Sequence, residues 1–370
     1  MPAPRSSSVL VVGAGIVGLA TAWHLAARGH RVTLVDPELG ADQGSSALAS
    51  QGSRAALGVL MARVFHRSSG RAWRLRQQSH QLWEQWLTEL EQRGHHLPRR
   101  HGLLLLAAGD DDLQKQERLA ADRDRLGIPV QRLSPEQLTA LHPQVPGRPL
   151  GGLLSPQDGQ LDPLAVMAAL LVEAQAAGAG TVADAAVALE RRRTWCVQLA
   201  GGQRLEADWV VLGLGLGTGP LLAGLGHALD LEPVLGQALE LELANDPGWT
   251  WPGAVMWRGI NLVPRPDLTS RRLWLGATLE PGAQASAESL DQLRQLGGEA
   301  PPWLQDARVV RQWQGLRCHP RGRPAPVLEQ PQPGLLIASG HYRNGVLLAP
   351  ATAAWVRNQI EERPEDSTAR

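Results

Sequence analysis

Three stretches of this chain carry residue types and spacings that could do chemistry. The first is Gly13-Ala14-Gly15-Ile16-Val17-Gly18. Glycines at this spacing, between a strand and a helix, suit a dinucleotide. The first makes a tight turn, the second lets backbone approach a pyrophosphate, and the third lets helix close on strand. The phosphates then meet the free N–H groups and positive end of the helix. Asp36, closing the next strand, is placed to accept from a ribose hydroxyl. The motif alone does not separate FAD from a nicotinamide dinucleotide; its N-terminal place ahead of a long remainder favours FAD.

The second stretch is "WQGLRC", Trp313–Cys318. A lone arginine is usually a surface charge, but Arg317 follows an apolar run. A guanidinium there could hold a carboxylate through its planar fork, so the residues leave surface charge and anion anchor both open. Cys318 beside it reads as an ordinary thiol or as a covalent flavin anchor. The third stretch is "GHYRNGVLLAP", Gly340–Pro350, where His341, the only tyrosine Tyr342 and Arg343 precede Asn344-Gly345 and an apolar run. If this is a strand-to-helix crossing, the helix N-terminus offers backbone N–H groups to an anion. Pro350 has no N–H, so a straight helix is expected to start near Leu347, and an earlier start predicts a kink.

These residues need elements to position them. Val9–Val12 reads as a strand buried on both faces, Ile16–Arg28 as a helix ended by Gly29, and Arg31–Val35 as the next strand, together one βαβ half. Arg71–Arg93 is an amphipathic helix whose Leu75, Leu82, Trp83, Trp86, Leu87 and Leu90 form an apolar stripe, read as core packing. Leu113–Leu126 and Leu164–Ala177 read as helices, and "LSPEQLTALHP" as a short helix capped by Ser134 and Gln137. Ala183–Val211 alternates like a meander turning at residues 200–202, with a buried strand at its end. Ala238–Leu243, Ile260–Pro264, Leu273–Ala277 and Leu335–Ala338 read as strands. The tail from Glu361 to Arg370 is expected to fray.

Composition bounds the class. The 370 residues suggest about two domains. At 43% hydrophobic, with 36 basic residues balancing 36 acidic ones, the chain lacks the basic excess of a nucleic-acid or membrane-surface binder. Two cysteines show neither metal spacing nor a disulfide framework, which fits a reducing compartment, so a cytoplasmic location is expected. The N-terminal apolar stretch is broken by glycines and lacks a cleavage site, so it is expected to be neither a signal peptide nor a membrane span. His80, His95, His96 and His142 have no metal-ligand spacing, and no metal site is expected.

With these residues in hand, the chain resembles the D-amino-acid oxidase family of FAD-dependent oxidoreductases, and within it the thiamine-pathway glycine oxidases. The likeness covers most of the chain. It runs through the N-terminal fingerprint, "GSRAALGVL" (Gly52–Leu60), "GQLDP" (Gly159–Pro163), "DWVVLGLG" (Asp208–Gly215), "LVPR" (Leu262–Arg265), "LGATLEPG" (Leu275–Gly282), "WQGLR" and "GHYRNGVLLAPATA" (Gly340–Ala353). It implies an α/β fold with an α+β second part, in which a Rossmann-like FAD-binding domain is interleaved with an antiparallel-sheet substrate domain. Residues 1–70, 140–230 and 310–370 are expected in the first, and 71–139 and 231–309 in the second.

The resemblance further implies FAD, which is expected to be non-covalent where Cys318 is an ordinary thiol. Gly13, Ala14, Gly15, Ile16, Val17 and Gly18 would carry its pyrophosphate, and Asp36 and Pro37 would meet the adenosine ribose. Ser53, Leu57, Gly58 and Val59 would line it, and Ala186 would touch the adenine side. His341, Tyr342, Asn344, Gly345, Val346 and Leu347 would wrap the isoalloxazine. Arg317 would hold the substrate carboxylate, with Arg343 against it. The implied reaction is the oxidation of a small amino acid or amine, glycine first, with hydride passing from Cα to flavin N5. An imine results, and oxygen reoxidises the flavin to give peroxide. A same-fold dehydrogenase using another acceptor, and a non-catalytic flavin-binding protein, are the alternatives. A homo-oligomer and a place in thiamine (thiazole) biosynthesis are also implied.

The chain departs from that pattern at four places. Asn261 stands where the glycine oxidases have a tyrosine before "LVPR" that helps hold the carboxylate. Cys318 replaces a proline, "RGRP" replaces an Asp-Gly, and Leu279 replaces a methionine. Glycine, sarcosine, a small D-amino acid and other secondary amines all remain candidate substrates.

Overall fold

The computed structural model of the chain describes residues 6–40 and 52–362. The expected frayed tail lies, from residue 363 on, outside the described residues.

The strand Ser8–Val12 pairs in parallel with Arg31–Val35 on one side and with Trp209–Leu212 on the other. The sheet runs, in spatial order, Val327–Gln332, Leu335–Ser339, Trp209–Leu212, Ser8–Val12, Arg31–Val35 and Gly180–Val182, with only the first of these antiparallel to its neighbour. Side chains alternate across a strand, and both faces are used. Val9 and Val11 pack toward the helices Ile16–Ala26, Pro163–Ala176 and Gly345–Glu361, while Leu10 and Val12 pack toward Trp195, Val197 and Leu199 of a three-stranded meander. That two-sided burial is why the strand reads as an unbroken apolar run.

A ten-stranded, largely antiparallel sheet forms the second part. Its long strand Leu231–Glu242 pairs along its whole length with Arg308–Pro320, and on its other edge with Arg272–Gly276. Ile260–Pro264, Ala254–Trp257, Arg99–Ala107 and Gly151–Leu161 follow in order. Leu239, Leu241, Leu262 and Leu275 face a core closed by Leu293 and Leu304. Ala238, Ala254, Val263 and Trp274 face the opposite way, toward Leu57 and Val64. This second face floors the cleft described below.

Sheet membership cuts across the expected domain division. Val59–Leu60, Gly151–Leu161 and, from residue 310 on, Arg308–Pro320 fall in the range expected for the nucleotide part but are strands of the large sheet. The helix Gly70–Gln92, expected in the substrate part, buries Trp83, Trp86, Leu87 and Leu90 in the core shared with Ile16–Ala26 and Gly345–Glu361. Its tryptophans are core, as their stripe suggested, and Trp86 meets Trp23 edge-on at 4.9 Å.

Candidate cofactor and substrate cleft

The glycine turn is built as its chemistry requires. Gly13 has φ +106°, and a Cβ there would sit 2.7 Å from the backbone carbon of Gly213. A Cβ on Gly18 would overlap the carbonyl oxygen of Gly13, so the helix Ile16–Ala26 could not close on its strand. Gly15 Cβ would fall 3.1 Å from Ser53 Oγ, which accepts from Ile16 N–H at 3.2 Å. Asp36 accepts from Ala14 N–H at 2.7 Å and from Glu38 N–H at 2.9 Å, one bond to each carboxylate oxygen. Each oxygen keeps a lone pair. Gly13, Gly15, Val17, Asp36 and Ser53 line one end of a cleft of about 740 Å³. Ala14, Ile16 and Gly18 shape the turn from behind that lining. Pro37 is exposed beyond it, and Ala186 opens a strand of the meander opposite Leu199; neither lines the cleft.

The other wall comes from the C-terminal crossing. After Leu335–Ser339 the chain turns at Gly340, φ +63°. Tyr342 also takes a left-handed φ of +54°, a strained choice for a residue with a Cβ. The helix Gly345–Glu361 then begins, with no side-chain cap on its N-terminus. Gly345, Val346 and Leu347 line the cleft along with Tyr342, Arg343 and Asn344. The helix therefore starts before Leu347, against the expectation of a straight start there, and Pro350 lies inside it. A proline at that position leaves the carbonyl of Val346 without its helical donor. Trp83 Nε1–H supplies it at 3.0 Å. At the next rung Ser79 Oγ donates to Leu347 O at 2.6 Å and accepts from Ala351 N–H at 3.2 Å. The helix Gly70–Gln92 thus completes the ladder that Pro350 interrupts. His341 is buried, and its Nε2 pairs with Thr352 Oγ1 at 2.9 Å. Burial, aided by the positive charge of Arg71, lowers its pKa to about 3, so the imidazole is neutral.

Arg317 stands on the strand Arg308–Pro320 with its guanidinium over Gly236 of the neighbouring strand. A Cβ at Gly236 would lie 2.5 Å from Arg317 Cζ and nearer still to both Nη atoms. Arg317 Nη1 donates to Leu235 O at 3.0 Å. Among the described residues no carboxylate pairs with Arg317 or with Arg343. The nearby carboxylate of Glu280 is taken by Thr278 Oγ1, Gln237 Nε2 and Ser286 N–H. Burial, then the charge of Arg343, hold the guanidinium pKa of Arg317 down, against the pull of Tyr342 and Glu280. Two cations meet here without a counter-ion, which is the electrostatics of an anion site. Asn261 lines the same cleft, and its Oδ1 is shielded from water with no hydrogen-bond partner. Leu57, Gly58 and Val59 line the cleft between the two ends. Burial raises the Cys318 thiol pKa, keeping it protonated.

Several cleft residues escaped the sequence reading: Gly236, Met256, Met61, Phe65, His66 and Arg76. Gly236 left a signal, since an isolated glycine inside a strand pattern marks a close approach. Arg76 left another, as a charge one turn before Ser79 and His80 on the buried face of its helix. Among the described residues no helix is long and apolar enough to cross a membrane, and no cluster of His, Cys, Asp or Glu could hold a metal ion.

The cleft falls within the roughly 300–1,000 Å³ usual for cofactor pockets. A glycine cradle that a Cβ would fill lies at one end, and two arginines with no carboxylate partner among the described residues lie along it, so the residues fit a dinucleotide with an anionic partner. A mainly parallel sheet ending in a glycine turn, facing an antiparallel sheet across one cleft, defines a two-part dinucleotide-dependent oxidoreductase. The chain belongs to the DAO family of FAD dependent oxidoreductases, whose pattern matches residues 8–359. It is an FAD-binding enzyme. It is 29% identical over 364 residues to a glycine oxidase of Geobacillus kaustophilus, covering 96% of this chain and 93% of that protein. The crystal structure of glycine oxidase from Geobacillus kaustophilus superposes with a TM-score of 0.85 at 27% identity, covering 98% of this chain and 96% of that one. A bifunctional ThiO/ThiG protein of a Nostoc species is 27% identical across 97% of this chain and 53% of its own length.

Proposed function

We propose that the protein is an oxidase of a small amino acid or amine, glycine being the first candidate, with the substrate carboxylate held between Arg317 and Arg343. The observation that carries this reading is the half-buried Arg317, without an acidic partner among the described residues, seated over Gly236 in the same cleft as the glycine turn. The glycine-oxidase relatives support the substrate class.

Gly13, Gly15, Ser53 and Asp36 would hold the nucleotide end of FAD, and residues 341–347 its flavin end. FAD, when bound, supplies the two-electron acceptor for the substrate's Cα–H bond. The chain's own contribution is then positioning. A guanidinium fork fixes the carboxylate and with it the direction of the α-carbon. The positive charge of Arg317 and Arg343 disfavours an ammonium group beside them, so the substrate amine is held in its neutral form. Asn261 Oδ1, an acceptor without a donor, is available to that amine's N–H. The uncapped helix N-terminus at Gly345 offers positive potential where negative charge develops. The likeness to a ThiO/ThiG protein supports a place in thiamine biosynthesis.

The test is an anaerobic panel of glycine, sarcosine and small D-amino acids added to yellow holoenzyme. Bleaching of the flavin band, followed by one peroxide per turnover in air, is the expected result. Bleaching without peroxide moves the protein to the dehydrogenases of the same fold, and no bleaching by any member removes the oxidase reading.

A further inference from the structure

A third arginine in the cleft, besides Arg317 and Arg343, has no role in that scheme. Arg76 is 7% exposed and lines the cleft. Its guanidinium lies 3.8 Å from the centre of the Phe65 ring. Among the described residues its only acceptor is Ala72 O, within its own helix, and its Nε has none. Burial is the one cause that lowers its pKa, to about 10, with no acid offsetting it. A buried guanidinium with free donors and no counter-charge is costly unless an anion visits it.

The segment that carries Phe65 is held from several sides. Asp158 accepts from the N–H groups of Ala62, Arg63 and Val64 at 2.8–3.1 Å. Arg123, fully buried, donates to the carbonyls of Arg63 and Phe65 and to Ser68 Oγ. Val64 packs on the cleft-floor face of the large sheet, the face that also carries Asn261 and Gly236 in register with Val263 and Ala238. Three elements therefore fix Phe65 beneath Arg76 before any ligand arrives, which is how a specificity pocket is pre-organised.

We propose that Arg76, backed by Phe65, reads a second anionic group on the substrate, so that the preferred substrates are amines carrying two carboxylates or a carboxylate and another anion. His66, at the exposed rim beside Phe65 at 4.3 Å between rings, adds a neutral hydrogen-bonding edge. The inference rests on the Arg317–Arg343 clamp holding the first carboxylate.

The experiment titrates the holoenzyme's flavin spectrum with the non-reacting acids acetate, butyrate, succinate and glutarate, in wild type and in Arg76→Met. One added charge-assisted contact predicts that a dicarboxylate binds wild type roughly 10- to 100-fold tighter than butyrate. Arg76→Met is expected to erase that preference, to keep the monocarboxylate affinity and to keep its FAD. Equal affinity of wild type for butyrate and the dicarboxylates overturns the second subsite while leaving the clamp standing. Absence of binding by every acid overturns clamp and subsite together. Loss of FAD from Arg76→Met assigns the arginine to the cofactor's phosphates and overturns the proposal.

Discussion

Replacing Gly236 by alanine tests the clamp without removing any charge. The added Cβ would lie 2.5 Å from Arg317 Cζ, whereas carbon atoms in contact rest roughly 3.5 Å apart. The guanidinium must then move by about 1 Å and loosen its bond to Leu235 O. The group that gives way is the far end of a flexible side chain, and alanine suits a strand at least as well as glycine. Folding stability should change by less than about 1 kcal/mol. Catalysis should not be spared, because a misplacement of about 1 Å can cost roughly 100-fold, or about 2.7 kcal/mol. The assay is anaerobic stopped-flow reduction of the flavin by the best substrate of the panel, alongside acetate binding and thermal melting. The expected Gly236→Ala protein is yellow, melts like wild type and is reduced about 100-fold less efficiently. If it reduces and binds acetate like wild type, Arg317 is not the carboxylate anchor.

Further outcomes follow from the geometry. His341 and His24 are held neutral, with pKa values lowered mainly by burial to about 3 and about 4 from an ordinary 6.5. Unfolding lets both take up protons, so their contribution is complete above pH 6.5 and is lost as pH falls below it, at up to about 1.4 kcal/mol per pH unit each. Urea midpoints at pH 7, 6 and 5 should show this decline, and His341→Asn should flatten it; an unchanged pH dependence contradicts the assignment. Trp83→Phe leaves Val346 O without a donor that Pro350 cannot replace, and should cost about 1–3 kcal/mol of stability by denaturant titration. Arg265 is fully buried, lies 3.7 Å from the Trp274 ring centre and joins Asp162, the N-cap of Pro163–Ala176, to Asp267, with 2.6 Å bonds to each. Arg265→Met strands two carboxylates and should destabilise by about 3–5 kcal/mol in the same titration.

What was legible in the sequence tracks how local its physical cause is. The glycine turn, its strand and helix, and the cap at Ser134 depend on neighbours within a few residues, and they stand where the spacing placed them. Ile260–Pro264 and Arg31–Val35 match because three of the five residues in each are buried and those three are apolar, a local signal that needs no distant partner. The strand Arg308–Pro320 was missed because one half is exposed and arginine-rich, and only its pairing with Leu231–Glu242 makes it a strand. The sequence left the start of Gly345–Glu361 open between a straight helix from near Leu347 and an earlier start, for a similar reason. Pro350 should delay a lone helix, and the donors that tolerate it, Trp83 and Ser79, come from more than 260 residues away in sequence. The isolation of Arg76 from any acid among the described residues carries no such local signal, because it is a property of three dimensions.

The central claim is that Arg317 holds the carboxylate of a substrate whose electrons pass to bound FAD. The most direct measurement compares wild type and Arg317→Met, both loaded with FAD, mixed without oxygen with the substrate panel while the flavin band is followed. Bleaching of wild type by at least one small amino acid or amine, with Arg317→Met yellow but nearly unreactive and no longer perturbed by acetate, is the result expected. Equal bleaching of the two proteins, or no bleaching of wild type at all, contradicts it.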